Sequence, residues 1–376
     1  MELVKGFKEY TGEEADKRQR IKGILAETFK KYGFELAETP ILEYEEFVKG
    51  ENEKDEAISD IFKLQDKGKR KLALRYEFTF QLKRLMKNKK LPYKRYQIGE
   101  VFRDEPTSTN RFRQFTQCDV DIIGSTVKDE AELLALVNEA MNNLGIKPVI
   151  LINNRKLLNE ILDSEKIKDK DKEQVMREID KIGKLSEKEI LQNLKKYKAE
   201  NVLKDLKKGE SYFRKFKSYS EVLELMKYCS YYGIRVLFSP TVIRGLSYYN
   251  GSVFEVKAKD VRETLVGGGS YMFDNVQSTG ISFGIERLLL LAKIKVEKKE
   301  SLIVSLGQDK EAINLSQRLR AKGKNVLLLF GKPSKALDFA NSKNIQEVIF
   351  VGKEEIKKGK YKVKDMKSGK EEYKKL

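Results

Sequence analysis

The chain has 376 residues, 40% of them apolar, and its 76 Lys and Arg against 58 Asp and Glu give a formal net charge of +18. That length accommodates two or three domains with their own cores, and the charge excess points to a polyanionic partner such as nucleic acid. With no histidine and only two distant cysteines, Cys118 and Cys229, the sequence excludes a Ser-His-Asp triad, a Cys-His pair and any metal site built from His and Cys.

The first residues, Met1 to Phe7, carry no apolar run of a secretory signal. Nor does any stretch approach the ~18 apolar residues of a spanning helix, so a cytoplasmic protein without membrane contact is expected. Thr11 and Glu14 stand at capping-box spacing. Ile21, Leu25, Phe29 and Tyr32 then recur at helical intervals up to Gly33, a C-terminal cap. Pro40 suits a strand end or an exposed edge. Tyr96 to Arg103 and Phe115 to Ile123 read as arms of a long antiparallel hairpin, joined by a polar loop from Asp104 to Asn110. A helix over 130–143 and a buried strand from Val149 to Ile152 follow.

Residues 156–222 are rich in Lys and Glu and free of proline, which reads as a helical insertion, with Ser186 and Glu189 marking a helix start. Strands resume at Val236 to Phe238 and Ser252 to Val256. The run Gly267-Gly268-Gly269 permits close backbone approach, and Gly280 to Gly284 leads into a helix from Ile285 to Leu291. A charged linker, Glu297 to Glu300, precedes an alternation of strand and helix that predicts a small, mostly parallel sheet ending at Val351. Residues 301–376 hold eighteen Lys and Arg against nine Asp and Glu, a concentrated electrostatic footprint.

Three runs carry chemistry: Phe102-Arg103-Asp104-Glu105, Arg244-Gly245-Leu246-Ser247-Tyr248-Tyr249 continuing to Glu255, and Gly280 through Gly284-Ile285-Glu286-Arg287. In this order and at these separations they make the chain resemble the class II aminoacyl-tRNA synthetases, and the histidyl-tRNA synthetases in particular. The resemblance runs nearly end to end. It implies an α+β fold: an antiparallel-sheet catalytic core over 1–155 and 223–297, the helical insertion 156–222, and a C-terminal α/β anticodon-binding domain over 301–376. It also implies activation of L-histidine by ATP with Mg2+, transfer to tRNA(His), and a homodimer built on the first class II motif. Tyr76, where bacterial members carry proline, suggests the archaeal and eukaryotic branch.

Attack of a carboxylate on the α-phosphate of ATP brings two anions together, so the site needs fixed positive charge. Guanidinium groups supply it permanently and bidentately. By resemblance Arg103 and Arg244 grip that phosphate from opposite sides and form the catalytic pair. Arg287 takes the far end of the triphosphate, Arg113 contacts phosphate, and Glu105 and Phe115 read and stack on the adenine. For the amino acid, Glu77 and Thr79 hold the α-amino group and Gln117 the carboxylate. Asp121 and Tyr249 contact the imidazole, and Tyr248 and Arg244 also bind the histidine. Taken singly, each arginine is better read as a surface salt bridge, Phe115 as core and Asp121 as a hairpin-edge charge; their places in matched motifs favour the functional reading.

Ser247 stands where the family commonly has aspartate, and Ser270 and Met272 replace the arginine and aspartate of a Gly-Gly-Arg-Tyr-Asp signature. A catalytically silent paralogue, such as an ATP phosphoribosyltransferase regulatory subunit, is the second reading. The motif arginines and the basic C-terminal segment stand against it. A nucleic-acid-binding module on the same fold is the third.

Overall fold

The computed structural model of the chain describes residues 2–50, 59–108, 111–183, 185–244, 248–261, 263–295 and 300–375. Gly245, Leu246, Ser247, Asn110 and most of the expected linker at 297–300 lie outside them. The chain divides into two compact units, Met1–Ile294 and Lys295–Leu376.

The first unit begins with the helix Gly12–Lys31. Thr11 is its N-cap, but the expected capping box does not form: the Thr11 side chain makes no capping bond, and Glu14 pairs with Lys8 at 2.6 Å instead. Gly33, at φ +77°, closes the helix by donating its N–H to the Lys30 carbonyl. Ile21, Leu25 and Phe29 are fully buried. Each such side chain contributes about 1.5–3 kcal/mol by leaving water.

Strands β1 (Glu35–Leu36), β2 (Leu42–Tyr44), β3 (Lys63–Gln65) and β4 (Lys71–Leu74) precede the predicted hairpin, whose arms are β5 (Tyr93–Phe102) and β6 (Gln114–Ile123). β7 (Pro148–Asn154), β8 (Val236–Phe238), β9 (Tyr249–Ala258), β10 (Val266–Phe273) and β11 (Val276–Gly284) complete the strands of this unit. Eight of them form one sheet in the order β1-β5-β6-β11-β10-β9-β7-β8, while β2, β4 and β3 form a small sheet of their own. The large sheet is antiparallel except at its two edges, where β1 pairs with β5 and β7 with β8 in parallel.

Strand periodicity decides what each face carries. Cys118, Val120 and Ile122 of β6 join the main core, where the helices Gly12–Lys31 and Val127–Asn143 pack. Gln117, Asp119 and Asp121 alternate with them and point to the opposite face. Between β7 and β8 run the helices of the insertion, from Arg155–Ser164 to Tyr219–Tyr231. The Ser186–Glu189 capping box forms as its spacing predicts. Leu157, Ile161, Val175, Ile190 and Leu203 bury these helices against the same core.

The second unit carries β12 (Glu300–Ser305), β13 (Asn325–Phe330) and β14 (Glu347–Val351), paired in parallel in the order β13-β12-β14. The expectation of a mostly parallel sheet ending at Val351 is corrected here. β15 (Tyr361–Asp365) and β16 (Glu371–Lys374) extend it with two antiparallel pairings. Their alternation escapes notice because charge occupies most positions; of these nine residues only Val363 is buried.

Candidate active site

The polar face of the large sheet lines a cavity of about 1260 Å³. Every site residue named from the sequence lines it except Arg113. Arg113 turns away, with its Nη2 3.1 Å from Asp104 and its Nε donating to the Glu105 carbonyl.

One part of the cavity is cationic. Arg103, just past β5, donates from Nε to the Tyr76 carbonyl at 3.1 Å and lies over the Phe115 ring at 5.2 Å. Buried Glu105 sits between Arg103 and Arg111 and pairs with both. Arg244 has φ +57°, a conformation that L residues rarely adopt. Its guanidinium crosses Gly267 so closely that a Cβ there would lie 2.4 Å away. Its Nη1 is 3.6 Å from Glu255, and its buried Nε has no hydrogen-bond partner among the described residues. Arg287 donates to the Thr264 carbonyl at 2.5 Å. Burial, then Arg244 and Arg111, press its pKa below the usual arginine value. Guanidinium groups that repel one another across a half-buried wall are an arrangement an anion relieves.

The other part is acidic and aromatic. Asp121, buried in mid-strand rather than on a hairpin edge, accepts from the Tyr271 hydroxyl at 2.7 Å and lies 2.9 Å from Arg95. It fits only because Gly280 has no side chain, since a Cβ there would meet its Oδ1 at 2.1 Å. Asp119, two residues earlier on the same face, accepts twice from the Gln117 amide at 2.8 and 2.9 Å. Burial and the neighbouring Asp121 push Asp119 up to about 6. Tyr248 packs on Tyr249 with ring centroids 4.7 Å apart and on Tyr271 at 5.8 Å. Burial, first among the causes, raises all three phenols. Glu77 and Thr79 also line the cavity.

A family model described as histidyl-tRNA synthetase matches residues 6–288, and one described as anticodon binding domain matches residues 300–375. The chain belongs to the histidyl-tRNA synthetase family. Histidine–tRNA ligase 1 of Bacillus cereus is 34% identical over 99% of this chain and 96% of that protein. The histidine–tRNA ligase of Methanocaldococcus jannaschii is 30% identical over 97% of this chain and 95% of its own length. Among solved structures, the histidyl-tRNA synthetase from Nostoc covers 99% of this chain and 96% of its own at TM-score 0.85 and 24% identity. An ATP phosphoribosyltransferase regulatory subunit/histidyl-tRNA synthetase from Bacillus halodurans covers 93% of this chain and 97% of its own at TM-score 0.79 and 23% identity. At those identities the two structures show the fold.

Two of the chain's departures from the family signature now have a place. Ser270 points to the helix side of β10 and donates to buried Glu130, and Met272 is exposed; neither lines the cavity, while Tyr271 between them does. Ser247 lies outside the described residues. Arg111, Asp119 and Tyr271 on the cavity wall, and Arg95 buried behind Asp121, are absent from the sequence-based set. Arg95 faces Asp121 directly across the β5–β6 ladder, so the hairpin register was the signal that could have paired them. Glu286 of the motif Gly284-Ile285-Glu286-Arg287 ties the core together. It pairs with Arg18 at 2.7 Å and accepts from the Thr116 N–H at 3.0 Å.

Proposed function

We propose that the chain is a histidine–tRNA ligase, which activates L-histidine with ATP, releases pyrophosphate, and transfers the histidyl group to tRNA(His). What carries this reading is a single cavity that sets guanidinium groups beside an acid-and-phenol pocket, in a chain matched to the family through both of its units. Arg103 and Arg244 would hold the α-phosphate as the histidine carboxylate attacks it, and Arg287 the far end of the triphosphate. Their charge is in place before reaction, so little reorganisation accompanies the transition state. Glu105 and Phe115 would take the adenine. Glu77 and Thr79 would hold the ammonium, and Asp121, Tyr248 and Tyr249 the imidazole end. A site built around buried polar groups rejects side chains that leave them unpaired.

No cluster of three Asp, Glu, His or Cys residues suited to a metal occurs among the described residues. Glu255 and Glu263 on the cavity wall instead suit a Mg2+ ion that arrives on the phosphates and keeps part of its water shell. The basic unit over 300–375 would bind the tRNA. Among the described residues no helix is long and apolar enough to cross a membrane, and we assign the protein to the cytoplasm. Exposed Ile41, Leu42, Tyr44 and Leu64 on and beside the small sheet support a homodimer through that face. Sedimentation should then give twice 43.5 kDa; a monomer at micromolar concentration would contradict it. The silent-paralogue reading is not favoured, since the full-length relatives are histidine–tRNA ligases and an anticodon-binding match is present. The proposal is tested by charging: the full chain should attach labelled histidine to tRNA(His) only with ATP and Mg2+. Absence of charging across enzyme and tRNA concentrations would refute it.

A further inference from the structure

Arg18 of the helix Gly12–Lys31 stands behind the cavity and does not line it. It is buried, with the Tyr10 ring 3.9 Å from its guanidinium, and it joins two elements that both carry cavity residues. Its Nη1 donates to Oε1 of Glu286 at 2.7 Å and its Nη2 to Oγ1 of Thr116 at 2.7 Å. The same Glu286 oxygen accepts from the Thr116 N–H at 3.0 Å, so guanidinium, carboxylate and threonine close a ring. Thr116 lies on β6 between Phe115 and Gln117, and Glu286 precedes Arg287 in the helix Ile285–Leu291. That helix leaves the sheet where the β6–β11 ladder ends, at the pair Gln117 and Gly284. Past that point side chains, not strand pairing, must aim Arg287. Lys17 holds the far end of the same helix by donating to the Leu289 carbonyl at 2.9 Å.

We propose that Arg18 is a positioning residue that sets the spacing between the two ends of the ATP site: Phe115, which takes the adenine, and Arg287, which takes the far end of the triphosphate. This rests on the histidine–tRNA ligase reading, from which those two roles come. A ligand held at both ends gains from the second contact only when the two are spaced to its own length. Arg18 fixes that spacing from outside the site. Its planar guanidinium makes two directed bonds at once, which an ammonium on a flexible stem would not hold. Without it each contact can still form, but not both at the separation ATP demands.

The test uses the full chain with ATP and with two fragments that each reach one end of the site, adenosine and inorganic pyrophosphate. Equilibrium dialysis with Mg2+ compares wild type, Arg18→Met, Arg287→Met and their double variant. Arg18→Met should weaken ATP by about tenfold or more, while adenosine and pyrophosphate each change by less than about twofold and KM for histidine holds. Arg287→Met should cost less ATP affinity in the Arg18→Met background than alone, because the two residues act through one contact. Removing Arg18 strands the Glu286 carboxylate, so the paired change Arg18→Met with Glu286→Gln, which leaves no stranded charge, carries the same expectation if the single variant does not fold. Unchanged ATP affinity, or a fragment weakened as much as ATP, would overturn the proposal. A wild-type chain with no histidine-dependent ATP–pyrophosphate exchange would instead sink the ligase reading, and this inference with it.

Discussion

Arg95 is fully buried, and its Nε and Nη1 have no hydrogen-bond partner among the described residues. Its charge answers Asp121 at 2.9 Å and lowers the cost of the nearby Asp119. Removing one member of such a set strands the others, so Arg95→Met should destabilise the fold by about 3–5 kcal/mol in denaturant unfolding. A change below about 1 kcal/mol would mean the pair is solvated. Asp119 works in the opposite direction. Its folded pKa is raised to about 6 by burial and by Asp121, so between about pH 4 and that value the native state holds a proton that the unfolded chain has already released. The stability this supplies is fully present below the ordinary aspartate pKa of about 4 and is lost as pH rises through about 6. Asp119→Asn should therefore stabilise the protein by about 1–3 kcal/mol at pH 8, with the gain shrinking toward pH 4. A gain that is independent of pH would contradict the assignment. Arg244→Ala should slow adenylate formation by about 10²-fold or more with little change in the unfolding midpoint; wild-type rates would remove Arg244 from the mechanism.

The strands carry the site through period-two alternation. On β6 it sends Cys118, Val120 and Ile122 to the core and Gln117, Asp119 and Asp121 to the cavity, and on β10 it sets Tyr271 apart from Ser270 and Met272. The three atoms nearest a Cβ at Gly267 on β10 all belong to the movable end of Arg244. Gly267→Ala should accordingly fold with a near-normal midpoint yet lose activity, since the added methyl displaces that guanidinium. Loss of fold and activity together would show that the strand itself cannot take the methyl group. Much of this was legible in the chain: the hairpin arms, the proline-free insertion and the Gly267–Gly269 run all announce themselves in local pattern. Arg95 and Tyr271 do not, because a strand residue's partner depends on register with another strand, which no single segment encodes. The Thr11 cap failed for a related reason. Capping-box spacing is necessary for the reciprocal bonds, but Lys8 offers Glu14 a charged alternative. The β15–β16 pair was hidden by lysine and glutamate at positions where an apolar alternation is normally sought.

The two units divide the labour that the reading assigns to the chain. On the proposed function, adenylate formation would draw on residues before Ile294, and the basic excess of the C-terminal segment would serve the tRNA. A chain ending at Ile294 should keep histidine-dependent exchange and lose most tRNA charging at low tRNA concentration. Full-length tRNA affinity should fall steeply with salt, as counterions compete for the phosphates; salt-independent binding or unimpaired charging by the shortened chain would show that the tRNA contacts lie elsewhere. The most direct measurement is ATP–pyrophosphate exchange by the intact chain, with each of the twenty amino acids supplied singly. The cavity predicts exchange with histidine and none above background with the other nineteen. No exchange with histidine, or comparable exchange with a second amino acid, would contradict the central claim.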